Sequence, residues 1–106
     1  MAMRRIENLA DFNSVLKGNT IVIMKFYSLC CLPCRTVAPY FYELADAYSK
    51  SIFCVKCNCE DAIDVVKFLN ISSVPAFIRF ERGKEVARIF GAEHEQLRTL
   101  FSNKEK

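Results

Sequence analysis

The chain has 106 residues, enough for one domain that buries a core without metal or structural disulfides, and we expect a single domain over residues 1–106. Its net charge of +3 is scattered along the sequence, so it lacks the basic stripe with interleaved aromatics typical of nucleic-acid binding. No apolar run reaches the ~20 residues that span a bilayer. Acidic residues soon after Arg4 and Arg5 interrupt any export signal, so we expect a cytoplasmic protein without nucleic-acid or membrane partners.

Hydrophobic spacing alternates between strand and helix along the chain. The predicted elements are a strand over 4–6, a helix over 9–17, a strand over 20–27, a helix from 34, a strand over 52–59, a helix over 61–69, a hairpin of 77–80 and 86–90, and a last helix that buries Leu97, Leu100 and Phe101. Asn8 is expected to cap the first helix, and Pro39 to bend the second rather than end it. We expect the tail, residues 104–106, to fray.

The predicted order β-α-β-α-β-α-β-β-α requires crossover connections early and an antiparallel pair late. We therefore predict an α/β fold, with a central mixed sheet of about five strands flanked by four helices. The run 20–27 is apolar on both faces except at Lys25, which is typical of a central strand covered by helices on each side.

The most informative motif, Cys31-Leu32-Pro33-Cys34, lies where this strand gives way to a helix. Pro33 suits the first helical turn, because its missing N–H would have no intrahelical partner there. Cys31 then lies against unpaired N–H groups at the positive end of the helix, which favour the thiolate. We expect Cys31 to attack a substrate disulfide and Cys34 to resolve the mixed disulfide that forms.

Six cysteines in a short chain leave other interpretations open. A secreted disulfide scaffold would spread its cysteines over loops, whereas Cys54, Cys57 and Cys59 fall in one strand-like run. We expect these three to pack as small apolar side chains. A structural zinc site would use Cys31 and Cys34 with Cys57 or Cys59, but closed zinc sites favour two paired motifs, and we predict no metal site.

Over nearly its full length the sequence resembles the thioredoxin family. The shared markers, in order, are a strand over 21–26, Cys31-x-Pro33-Cys34 followed by Arg35, Ala38-Pro39 inside the helix, Val74-Pro75 at the family's cis-proline position, Gly83 in the hairpin turn, and Phe90-Gly91-Ala92 in the late glycine loop. The resemblance implies a thioredoxin-like fold and a monomeric protein-disulfide reductase that carries electrons in cell redox homeostasis. It further implies no bound cofactor, disulfide-containing protein substrates, and electrons from NADPH through a flavoprotein thioredoxin reductase.

The resemblance also implies a substrate-docking surface beside the two cysteines. Pro75 is expected to follow a cis peptide bond and to face the dithiol, leaving the backbone of Val74 free to pair with an extended substrate. The expected surface is flat and mostly apolar, and is formed by Leu32, Pro33, Val74, Pro75, Gly91 and Ala92. Such a surface accepts many protein partners weakly.

The sequence departs from the family at three positions. Cys30 and Leu32 replace the usual tryptophan and glycine, and Lys25 replaces a buried aspartate thought to help move a proton on and off the resolving cysteine. The family's strand lysine matches Lys56, so two lysines are expected to face each other. Three interpretations of Lys25 stay open: a neutral proton acceptor for Cys34, an ammonium that holds Cys34 as thiolate, and a tolerated substitution whose amine reaches solvent along its stem.

Other functions also fit parts of the sequence. A glutathione-linked glutaredoxin usually has proline directly after its first cysteine, whereas Pro33 precedes the second. A non-catalytic interaction or chaperone module would have kept the fold and lost turnover, and a metal or iron–sulfur carrier would use the same thiols. His94, the single histidine, is expected to be solvated surface.

Overall fold

The computed structural model describes residues 3–102, so the tail expected to fray lies outside the described residues. The elements in chain order are β1 Arg4–Arg5, α1 Leu9–Gly18, β2 Ile21–Tyr27, α2 Leu32–Ala47, β3 Phe53–Asn58, α3 Ile63–Leu69, β4 Ala76–Glu81, β5 Lys84–Phe90 and α4 His94–Ser102. The predicted order is confirmed. β3 ends at Asn58, one residue earlier than predicted, so Cys59 lies in the turn after the strand.

The five strands form one mixed sheet in the order β1-β3-β2-β4-β5. β2 runs parallel to β3, because α2 provides the crossover between these two strands. On its other side, β2 runs antiparallel to β4. Helices α1 and α3 cover one face of the sheet, and α2 and α4 cover the other. The predicted mixed sheet of five strands with four helices is thus confirmed.

The helix starts follow from local sequence. The side-chain oxygen of Asn8 accepts a hydrogen bond from the Asp11 N–H at 2.9 Å, so the predicted cap of α1 is confirmed. Cys31 is the N-cap of α2, and Pro33 lies in the first turn of that helix. Pro39 lies inside α2, which continues to Ala47, so the proline does not end the helix.

β2 is the strand that positions the rest of the site. Met24 and Phe26 pack under α1 and α3, whereas Ile23 packs on the opposite face under α2 and α4, where Lys25 also lies. Phe26, near the end of β2, is paired with Ala76 at the start of β4. The segment that follows β2 and the loop that precedes β4 therefore emerge at the same edge of the sheet.

A buried ion pair on β4 lies against the last described turn of α4, to which its arginine donates hydrogen bonds. The Nε of Arg79 donates to Oε2 of Glu81 at 2.7 Å, and both residues are buried. The Nη1 of Arg79 donates to the carbonyls of Leu100 and Phe101, each at 3.0 Å. These carbonyls belong to the last turn of α4 within residues 3–102, so the guanidinium lies at the negative end of that helix.

Replacing Arg79 by methionine is expected to lower the free energy of unfolding by about 3 kcal/mol, because Glu81 then remains buried without its guanidinium partner. The double variant Arg79→Met/Glu81→Leu is expected to recover most of that loss, since apolar side chains of similar volume replace the pair. Urea unfolding at neutral pH measures both variants. Equal losses in the two would show that the helix carbonyls, and not the buried charge, account for the effect.

Candidate active site

The structure joins Cys31 and Cys34 by a disulfide at the N-terminal end of α2, with Cα atoms 5.2 Å apart. The Cys34 N–H donates to the Sγ of Cys31 at 3.1 Å, in the place where a capping oxygen usually accepts. After reduction, this N–H and the positive helix end stabilise negative charge on that sulfur. Cys31 is 8% exposed and Cys34 is 2% exposed, so Cys31 is the more accessible of the two.

The loops expected to form the docking surface lie at the same edge of the sheet as the dithiol. The Val74–Pro75 peptide bond is cis, as predicted. The N–H of Gly91 donates to the Pro75 carbonyl at 2.8 Å, which joins the loop after β5 to the loop before β4. Gly91 has a φ of 101°, a conformation that favours glycine.

The side chains at this edge differ in accessibility. Leu32 is 70% exposed, whereas Val74 and Ala92 are half-buried and Pro75 is buried. Leu29 is 67% exposed and belongs to the same segment, although sequence reasoning did not single it out. The sequence feature that could have identified Leu29 is an apolar residue in the short loop between β2 and the cysteines. At this edge of the sheet, the two most exposed apolar side chains are therefore those of Leu29 and Leu32, on either side of Cys31.

Lys25 lies beneath α2 and is only 4% exposed. Its Nζ is 5.4 Å from the ring centroids of Tyr27 and Tyr42 and 5.8 Å from that of Phe41, so three aromatic faces surround the amine. The interpretation in which the amine extends along its stem into bulk solvent is therefore wrong. A surface pocket of about 420 Å³ connects Lys25 to the dithiol, and it is lined by Lys25, Tyr27, Ser28, Leu29, Cys34, Arg35 and Ala38.

Lys56 is the neighbour of Lys25 across the β2–β3 pairing, as predicted. Burial, followed by the positive charge of Lys56, lowers the pKa of Lys25. On the far side of Lys56, Arg5 occupies the paired position on β1 and forms an ion pair with Asp61 at 3.4 Å. A row of three cationic side chains therefore crosses β1, β3 and β2 toward the dithiol.

The other cysteines are free thiols. Burial raises the pKa of Cys54 and of Cys57 to about 12, and it also raises the pKa of Cys59. Cys57 is fully buried as expected, while Cys54 and Cys59 are half-buried. Cys30 is exposed next to Cys31. These four unpaired thiols do not form the disulfide framework of a secreted scaffold.

Two further sequence expectations concern metal ligands and the histidine. Within residues 3–102, no group of three or more His, Cys, Asp or Glu side chains converges, so the zinc interpretation lacks a third ligand there. His94 is exposed at the start of α4, and its ring stacks on Tyr40 with centroids 4.1 Å apart. His94 is therefore at the surface, as expected, and its ring also packs on another side chain.

Comparison with known proteins agrees with this geometry. Residues 5–103 match the family model described as Thioredoxin. The chain is 32% identical over 102 residues to Thioredoxin-2 of Pyricularia oryzae, covering 96% of this chain but 59% of that protein. It is 30% identical over 96 residues to Thioredoxin 1 of Plasmodium falciparum, with 91% of each covered. A solved Plasmodium falciparum thioredoxin superposes with a TM-score of 0.91 at 27% identity, over 97% of this chain and 100% of the other.

The chain belongs to the thioredoxin family. It is a thiol–disulfide oxidoreductase, a thioredoxin-type protein-disulfide reductase with a redox-active cysteine pair. Among the helices of the described residues, none is long and apolar enough to cross a membrane.

Alkylation of the reduced, folded protein at neutral pH is expected to modify Cys31 and Cys30 long before Cys54 and Cys57. The last two thiols stay protonated far above neutrality, because burial raises the pKa of each to about 12, and only the thiolate reacts. Peptide mapping by mass spectrometry over a time course gives the order. Labelling in urea is the control, and similar rates for Cys57 and Cys31 in the folded protein would contradict the expectation.

Proposed function

We propose that Cys31 is the nucleophile and Cys34 the resolving thiol in the reduction of protein disulfides. The Cys31 thiolate attacks one sulfur of the substrate disulfide, which breaks as a mixed disulfide forms. The Cys34 thiolate then attacks the Sγ of Cys31, so the substrate leaves with two thiols and the protein keeps the disulfide. The observation that carries this assignment is the disulfide across the first turn of α2, with the more accessible sulfur at the N-cap.

The docking surface is the second part of the proposal. We assign substrate binding to the predicted set of Leu32, Pro33, Val74, Pro75, Gly91 and Ala92, and we add Leu29. The large exposed fractions of Leu29 and Leu32 support this assignment, because a protein substrate covers such side chains and gains the free energy of apolar burial. Lys25 is assigned to the resolving step, as the group that governs the proton of Cys34.

The reaction leaves the protein oxidised, so each cycle needs a two-electron donor. We propose that NADPH supplies the electrons through a flavoprotein thioredoxin reductase and that the protein itself binds no cofactor. Family membership supports this partner. We further propose a cytoplasmic monomer with one domain over 1–106 and no nucleic-acid or membrane partner, on the sequence argument from scattered charge and the acids that follow Arg4 and Arg5.

Insulin-disulfide reduction with NADPH and a thioredoxin reductase tests the two cysteine roles. Cys31→Ser is expected to reduce turnover to background, because no nucleophile remains. Cys34→Ser is expected to accumulate a mixed disulfide with the substrate, since the resolving thiol is missing. Mass spectrometry without reductant detects that adduct. An inactive wild-type protein that still forms the Cys31–Cys34 disulfide would favour the non-catalytic module instead.

Leu32→Asp is expected to raise the KM for a protein disulfide about tenfold, because burying a leucine contributes about 1.5–3 kcal/mol and an aspartate loses that contact. The rate with a small aromatic disulfide is expected to change little, since such a substrate does not cover the docking surface. Val86→Asp is the matched control, because Val86 is also exposed but lies toward the hairpin end of β5. An equal rise in KM for both variants would contradict the assigned surface.

A further inference from the structure

The charged side chains that line the pocket shared by Cys34 and Lys25 are of one sign. The pocket that Cys34 shares with Lys25 also contains Arg35, and none of its seven lining residues is acidic. Lys56 lies beside Lys25, and Arg5 beside Lys56, on adjacent strands. The carboxylate of Asp61 forms an ion pair with Arg5, the member of this row farthest from Lys25, and its charge also acts on Tyr27.

Burying the ammonium of Lys25 in this pocket costs free energy while the two cysteines form a disulfide. A buried ammonium needs a counter-ion, and the faces of three aromatic rings offset only part of the lost hydration. The neighbouring charge of Lys56 adds repulsion. Reduction changes the balance, because it can create one new negative charge in the pocket, on the sulfur of Cys34.

We propose that in the reduced protein Lys25 and Cys34 form an ammonium–thiolate ion pair inside this pocket, and that the pair shifts the redox equilibrium toward the dithiol. This inference rests on the proposed role of Cys34 as the resolving thiol. The resolving attack then starts from a sulfur that is already deprotonated. The two open interpretations of Lys25, as proton acceptor and as fixed charge, lead to this same state.

The electron and proton balance can be written with glutathione as the donor. Two glutathione thiols give up two electrons and two protons and leave as one glutathione disulfide, while the Cys31–Cys34 bond breaks. In the product, the Nζ of Lys25 is an ammonium and the Sγ of Cys34 is a thiolate. The proton that an ordinary thiol would keep is therefore held by the amine or released to solvent.

The other titratable groups near Lys25 define the expected pH dependence. Lys56 faces it from β3, Tyr27 from its own strand, Tyr42 and Arg35 from α2, and its β4 neighbour Phe77 carries no charge. The two cations among these groups also favour a thiolate. Burial of the phenol raises the pKa of Tyr27, so that group stays neutral where Cys34 titrates.

The ultraviolet absorbance of the thiolate measures the titration of Cys34 in a Cys30→Ser/Cys31→Ser background. Burial raises the pKa of Cys54 and Cys57 to about 12 and also raises the pKa of Cys59, so these three thiols titrate above the range in which we expect the wild-type Cys34 signal. We expect Cys34 to titrate at least one pH unit below the ordinary thiol value of ~8.5. A pKa of Cys34 less than one unit below ~8.5, or above it, would overturn the ion pair without the need for any Lys25 variant.

Variants at Lys25 then assign the cause. Lys25→Met is expected to raise the pKa of Cys34 above ~8.5, because burial without a cation disfavours the thiolate. Lys25→Arg is expected to keep it low, since a guanidinium retains the charge. Lys50→Met removes an equal charge beyond the far end of α2, a helix about 24 Å long, and is expected to change nothing. No shift in Lys25→Met, or an equal shift in Lys50→Met, would overturn the proposal.

The intact dithiol protein gives an independent readout of the same pair. At pH 8, Lys25→Met is expected to favour the disulfide about tenfold more than wild type in equilibrium with glutathione, a shift of about 30 mV toward more negative potential. An unchanged equilibrium would overturn the effect on the dithiol. Insulin turnover is recorded in parallel, so loss of turnover with a low Cys34 pKa would count against the proposed function and leave the ion pair standing.

Discussion

The hydrogen bond from the Cys34 N–H to the Sγ of Cys31 is the contact on which the chemistry of this protein depends. It fixes the reactive sulfur at the positive end of a sixteen-residue helix, where a negative charge is stabilised by the backbone itself. It also holds the second cysteine one turn away, close enough for the two sulfurs to bond. The positions of both sulfurs of the redox-active pair are therefore consequences of one helix start.

The sheet places this helix start next to the loops that form the proposed docking surface. The pairing of Phe26 with Ala76 brings the end of β2 next to the start of β4, so the segment with the cysteines and the loop with Pro75 share one edge. The hydrogen bond between Gly91 and Pro75 adds the loop after β5 to that edge. Three segments distant in sequence thus depend on the register of two strand pairs.

Local signals were sufficient for much of the fold. The cap at Asn8 and the helix start at Cys31 depend on neighbouring residues, and sequence reasoning found both, whereas the cis bond before Pro75 was expected from the family resemblance. The facing of Lys25 and Lys56 was found through the family resemblance, because the sequence alone gives no strand register.

Long-range contacts account for what sequence reasoning missed. The rings around Lys25 come partly from α2, and only the packing of that helix on β2 decides whether the amine meets rings or solvent. The hydrogen bonds that Arg79 donates to α4 join residues more than twenty positions apart. Leu29 gave no periodic signal, because a loop residue belongs to neither a helix nor a strand pattern.

The outer strands of the sheet have a consequence for solubility. A protein that handles extended polypeptides risks adding strands to its own open borders, as in sheet-to-sheet aggregation. One border is β1, only two residues long and made of arginines, and the other is β5, where Arg88 and Glu85 form a salt bridge. The short length of β1 and the charged pair on β5 both disfavour the addition of a further strand at either outer strand of the sheet.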